Sequence, residues 1–114
     1  MKWPILILLM IQMQIRIGTV SYYNHGFTGR KTASGEIYDP EKRTCASNFY
    51  SFGTYLEIYY PKRDTHTPCR VNDRGPMVKG RILDISEICA RDLGMLKDGI
   101  GSVLEAYYYT PKYQ

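Results

Sequence analysis

RVNDRGPMVKGRILDIS, residues 70–86, places one carboxylate, Asp73, on a sharp turn between two apolar runs. Cys69 and Val71 alternate with polar neighbours as a half-buried strand does, and Asp-Arg-Gly-Pro then breaks the alternation. Arg81 to Ile85 resumes an apolar run, and Ser86 stands where it can cap a helix. These residues predict strand, tight bend, strand and helix, with an acidic side chain at the end of the first strand. A rigid strand fixes such a group while the loop exposes it to a ligand, so Asp73 is the first candidate for chemistry.

The flanking segments follow the same period. In YLEIYY, residues 55–60, Leu56, Ile58 and Tyr60 share one face and Tyr55, Glu57 and Tyr59 the other. GTVSYY, residues 18–23, has the β-branched and aromatic content of a strand, and Asn24 to Gly35 is polar, glycine-rich loop. Ser86 to Leu93 predicts a short helix with Ser86 as N-cap, Ile88, Cys89 and Leu93 facing inward, and Gly94 as its stop. Ser102 to Tyr109 closes the chain with another alternating strand. The expected class is all-β with one or two short helices, and a closed barrel, because closure leaves no sheet edge unpaired.

A chain of 114 residues holds one compact core, and 44% hydrophobic with 23% charged residues excludes both disorder and a polytopic membrane protein. The net charge of +4 favours anionic partners, yet Arg30-Lys31, Lys42-Arg43 and Lys62-Arg63 are separated pairs. Nucleic acid, which calls for one basic stripe, is not an expected partner. Two lone histidines, His25 and His66, and three isolated cysteines lack zinc spacing, and no calcium or phosphate loop is present, so neither metal nor cofactor is expected. Of the cysteines, Cys45 and Cys69 fall in strand-like segments and are predicted to pair, leaving Cys89 as a core thiol on the helix. The alternative is three reduced thiols in a cytosolic protein.

MKWPILILLMIQMQIRI, residues 1–17, sets Lys2 before an apolar run from Ile5 to Ile11. Those are the charged and hydrophobic parts of an export signal, and the run is shorter than the roughly 20 apolar residues that span a bilayer. The expectation is an export signal or short membrane anchor over 1–17, a folded domain over 18–110 and a tail over 111–114. A buried N-terminal strand is the alternative for the first segment.

Taken in order, SYYNHGFTGRKTASGEIYD from Ser21, TCAS from Thr44, FGT from Phe52, RVNDRGP from Arg70, GRILDIS from Gly80 and ARDLG from Ala90 resemble the rare lipoprotein A family. The resemblance implies the six-stranded double-psi β-barrel shared with expansins and barwin-like proteins. It also implies an exported lytic transglycosylase whose partner is the glycan strands of peptidoglycan, working as a monomer without a cofactor. Such enzymes cleave the bond between N-acetylmuramic acid and N-acetylglucosamine without water and leave a 1,6-anhydro ring. The resemblance assigns the catalytic acidic positions to Asp73 in NDRGP and Glu36 in GE-x-YD. It departs at Ser47, where the family commonly has His, and a serine does not exchange protons at neutral pH. That departure favours the rival class, a noncatalytic wall-binding module of the expansin or barwin sort.

The chemistry needs few residues. One carboxyl can protonate the leaving glycosidic oxygen and then take a proton from the sugar's own 6-hydroxyl as it attacks, so no water-activating partner is required. Among the eleven tyrosines, Tyr22, Tyr23 and Tyr38 are candidate substrate contacts, since flat rings pack on sugar faces and their hydroxyls bond sugar oxygens. Ser47 and Arg74 complete the candidate set. For each a plainer role stands alongside: barrel filling for Tyr38, a solvated loop carboxylate for Glu36, and local backbone hydrogen bonds for Asp73.

Overall fold

The alternation in the sequence becomes alternation of burial. Along Tyr55–Tyr60, Leu56, Ile58 and Tyr60 are buried while Tyr55 and Tyr59 are exposed, as expected. The computed structural model describes residues 13–108 and forms six strands: β1 (Met13–Tyr22), β2 (Thr44–Ala46), β3 (Tyr55–Tyr60), β4 (Thr65–Asp73), β5 (Arg81–Ile85) and β6 (Ile100–Tyr108). One helix, α1 (Glu87–Leu93), lies between β5 and β6. The strands close in the order β1-β5-β2-β4-β3-β6, with β1 parallel to β5, β2 parallel to β4, and the remaining neighbours antiparallel. This is the six-stranded double-psi barrel that the resemblance implies.

The barrel is filled by Val20, Cys45, Leu56, Ile58, Cys69, Val71, Leu83 and Ile85, and Cys89, Ala90 and Leu93 of α1 with Met95 extend this core. Cys45 and Cys69 form a disulfide across the neighbouring strands β2 and β4, with Cα atoms 5.8 Å apart. Cys89 remains a buried thiol donating to the Pro68 carbonyl oxygen at 3.4 Å, and burial pushes its pKa up.

Two expectations are corrected. Strand β1 begins at Met13, not Gly18, and Met13 to Ile17 pair with Tyr108 to Leu104 of β6. Ile15 and Ile17 are exposed, so it is backbone pairing with β6, and not burial of an apolar face, that joins these residues to the barrel; the rest of the expected leader lies outside the described residues. Among the described residues no helix is long and apolar enough to cross a membrane. In α1, Ala90 replaces Ile88 on the buried face, and Ile88 is only half-buried. Ser86 occupies the N-cap position, but its hydroxyl accepts from the Thr44 amide at 3.4 Å. The first-turn amides of Glu87 and Ile88 instead bond the Tyr38 hydroxyl at 3.2 Å and the Pro40 carbonyl at 3.0 Å. Gly94 ends the helix in the left-handed region, φ 73°, as its position predicted.

The disulfide closes a 24-residue separation, so the Cys45→Ala/Cys69→Ala double variant is expected to lose about 3 kcal/mol in urea unfolding. Equal stability of the variant and the parent would show that the bond constrains nothing. A Cβ at Gly101 would sit 2.6 Å from the Tyr60 ring, which is anchored by its hydroxyl on Asp98 at 2.7 Å. Gly101→Ala is therefore expected to lower the urea midpoint by an amount equivalent to about 1–3 kcal/mol.

Candidate functional site

Strand β4 delivers Asp73 to its C-terminal end, where the chain turns through Gly75, φ 134°, and the cis Gly75–Pro76 bond. Loop residues 47–52 hold this turn. The Asn48 side chain donates to the Pro76 carbonyl and accepts from the Gly75 amide, both at 2.8 Å. Arg74 Nη1 donates to the carbonyls of Ser47 and Tyr50, both at 3.0 Å, and its guanidinium lies 4.0 Å over the Phe52 ring.

Strand register then assembles the site. Ser21 of β1 pairs with Asp84 of β5, Asp84 with Ala46 of β2, and Ala46 with Asp73 of β4. Residues that pair across neighbouring strands project from the same face. Since Val20, Cys45, Val71, Leu83 and Ile85 fill the interior, this row of four lies on the outside of the barrel. At about 4.8 Å per strand, the Asp73 and Asp84 backbones stand about 10 Å apart, and the Ala46 methyl between them is covered by the Tyr23 and Tyr38 rings, with which it forms a small buried cluster.

Asp73 is half-buried and well bonded. Its Oδ2 accepts from the Tyr23 hydroxyl at 2.8 Å, and its Oδ1 accepts from the backbone amides of Ala33 at 2.8 Å and Arg74 at 2.9 Å. Among the described residues, two donors thus fill both lone pairs of Oδ1 and one donor meets Oδ2. Burial first, and the Asp73 carboxylate second, push the Tyr23 hydroxyl far above its ordinary range, so it stays a donor at any working pH. Its ring is fixed by Tyr38 at 4.5 Å and the edge of Phe27 at 5.5 Å.

Asp84 is a residue the sequence reasoning passed over. Its carboxylate accepts from the Ser21 hydroxyl and from Arg81 Nη2. The signal was present in GRILDIS, where an acid between Leu83 and Ile85 must face outward if those two face the core. Arg70, Asn72 and the Ala33 amide were passed over as well, because their importance comes from a fold-back. Residues 31–37 form a tight hairpin with a Lys31–Ile37 bridge and a Thr32 amide to Glu36 carbonyl bond of 2.7 Å. The hairpin leans on β4: Ala33 bonds Asp73, the Ser34 amide donates to the Asn72 carbonyl at 3.2 Å, and Glu36 pairs with Arg70 at 3.0 Å. Arg70, and after it the Asn72 side chain, hold the Glu36 carboxyl below the usual carboxylate range.

The structure therefore brings Asp73 and Tyr23 together, with the Arg74 amide on Asp73 and Glu36 on the adjoining hairpin. The side chains of Tyr22, Tyr38 and Ser47 are engaged elsewhere. Tyr22 projects opposite to Tyr23, as adjacent strand residues do, and donates its hydroxyl to the Leu96 carbonyl at 2.8 Å. Tyr38 is buried beneath Tyr23. Ser47 is fully buried, and its hydroxyl accepts from the amides of Phe49 at 3.0 Å and Tyr50 at 3.2 Å, so it forms a turn and does not face a ligand.

A family profile described as lytic transglycolase matches residues 15–104. The chain is 41% identical over 88 residues to the endolytic peptidoglycan transglycosylase RlpA of Pasteurella multocida, covering 77% of this chain and 30% of the relative. It is 42% identical over 83 residues to the probable endolytic peptidoglycan transglycosylase RlpA of Aquifex aeolicus, covering 73% and 37%. The chain thus spans about a third of the length of these curated relatives. Among solved structures, the Streptomyces papain inhibitor superimposes with a TM-score of 0.68 at 18% identity, covering 84% of this chain and 96% of that one. An expansin from Clavibacter michiganensis superimposes with a TM-score of 0.67 at 23% identity, covering 86% and 52%; both likenesses speak for the fold alone.

Tyr23→Phe preserves the ring packing and removes only the bond to Asp73. It is expected to cost about 1–2 kcal/mol in urea unfolding, and a variant as stable as the parent would show the bond to be idle.

Proposed function

We propose that this chain, which belongs to the rare lipoprotein A family of lytic transglycolases, cleaves peptidoglycan glycan strands in the cell envelope and leaves a 1,6-anhydro ring on the muramic acid. The observation that carries this reading is the half-buried Asp73 carboxylate at the end of β4, whose Oδ2 accepts one hydrogen bond from the described residues where Oδ1 accepts two.

In this reading Asp73 arrives protonated on Oδ2 and gives that proton to the glycosidic oxygen as the bond from C1 to that oxygen breaks. Positive charge grows at C1 and is stabilised by the carboxylate just formed. The 6-hydroxyl of the same muramic acid attacks C1 and returns its proton to Oδ2, so the acid is regenerated and no water enters. The three donors on Asp73 fix which oxygen carries the proton, since Oδ1 is already filled by two amides. Asp84, held by Ser21 and Arg81 two strands away in the same row, offers acceptor oxygens for sugar hydroxyls. Ser47 takes no part in the proton transfers, and a mechanism with one carboxyl makes no demand on it.

A noncatalytic wall-binding module is the competing class, and the full hydrogen bonding of Asp73 Oδ1 is the observation compatible with it. Purified sacculi incubated with the protein separate the two when soluble products are resolved by mass. The expected result is release of anhydro-muropeptides that Asp73→Asn reduces by on the order of 100-fold or more. Binding to sacculi without release supports the module, and release undiminished in Asp73→Asn removes the assignment of Asp73.

A further inference from the structure

We propose that Glu36 and Arg70 form a latch that seats the Lys31–Ile37 hairpin on β4, and that Glu36 serves the reaction by this positioning and not by touching substrate. The inference rests on the assignment of Asp73 given above.

The hairpin has little apolar surface with which to hold itself down. Of residues 31–37 only Thr32 is buried; Ala33, Gly35, Glu36 and Ile37 are exposed and Ser34 is half-buried. Its seating depends on polar contacts to the last four residues of β4: Glu36 to Arg70 at 3.0 Å, Ser34 amide to Asn72 carbonyl at 3.2 Å, and Ala33 amide to Asp73 Oδ1 at 2.8 Å. If the hairpin lifts, Ala33 leaves Oδ1. One of the two amides that define that oxygen is lost, the carboxyl group gains freedom to rotate about its Cβ–Cγ bond, and the proton is no longer confined to Oδ2. The Glu36 carboxylate is meanwhile occupied by the Arg70 guanidinium and the Asn72 amide, and both interactions hold it in its ionised form.

The pair is half-exposed, 29% for the Arg70 side chain and 46% for that of Glu36, so its strength is modest. An exposed ion pair shifts a seated-to-lifted equilibrium by up to about fivefold. Two measurements on the full chain read this directly: hydrogen exchange of the Ala33 and Ser34 amides, which needs no turnover, and release of anhydro-muropeptides from sacculi. Glu36→Gln is expected to speed exchange of both amides and to lower release by about two- to fivefold. Glu36→Arg alone, which sets two cations face to face, is expected to exceed that loss. The double variant Glu36→Arg/Arg70→Glu restores the attraction with the charges exchanged, and is expected to return both readouts to within about twofold of the parent.

A swapped pair that regains amide protection but not release would overturn the proposal, because the carboxylate itself would then be needed at position 36. Unchanged protection of Ala33 and Ser34 in Glu36→Gln would overturn it too, because the pair would not be what seats the hairpin. Undiminished release by Asp73→Asn, in contrast, strikes the assignment of Asp73 and leaves the exchange result to decide the latch.

Discussion

Closure of the barrel through β2 is the constraint from which the site follows. This strand has only three residues, Thr44–Ala46, yet it pairs antiparallel with β5 on one side and parallel with β4 on the other. So few ladder hydrogen bonds would leave a weak seam. The Cys45–Cys69 disulfide crosses it inside the core, on the same strand pair whose outer face carries Ala46 and Asp73. Inside, β2 contributes a covalent bond; outside, it contributes the smallest side chain that still has a Cβ. Asp73 and Asp84 fall in one row because both neighbouring strands register on that alanine.

Asp73 shows how a group can be both fixed and usable. Its carboxylate meets three donors, which would be ample to bury it as a structural acid, yet the count stops one short of filling the four acceptor positions. The donors come from three separate parts of the chain: the end of β1 through Tyr23, the 31–37 hairpin through Ala33, and the turn after β4 through Arg74. Each is braced in turn, Tyr23 by the rings of Tyr38 and Phe27, and Arg74 by the carbonyls of the 47–52 loop. Preorganisation of this kind sets the position of one oxygen, which is what the single-carboxyl reaction proposed above requires of Asp73.

The tyrosines and Ser47 show where residue type misleads. A tyrosine in a strand facing a groove and a tyrosine filling a core have the same local sequence, and only the register decides between them. Tyr22 and Tyr23 are adjacent and take opposite faces, one bonding the loop after α1 and the other Asp73. Tyr38 reaches past Tyr23 to satisfy the first amide of α1, so a residue expected to meet sugar instead caps a helix whose own N-cap serine is turned towards β2. Ser47 is drawn inward by two amides of its own turn.

Local pattern was enough for what is local. The period of two in Tyr55–Tyr60, the apolar run of Arg81–Ile85, the stop at Gly94, the strand-like settings of Cys45 and Cys69, and an acid at a bend after Val71 were all legible, because each depends on a few consecutive side chains and the backbone they impose. The beginning of β1 was not legible in this way, because Ile15 and Ile17 lie exposed and the segment is held by its pairing with β6. Which strands are neighbours, and therefore which outward side chains share a row, was decided only by closure of the barrel, since pairings such as Ser21 with Asp84 or Ala46 with Asp73 join positions that no short window contains. The partners of Asp73 belong to the same class: a hydroxyl fifty positions away and an amide forty positions away converge on one carboxylate through tertiary packing alone.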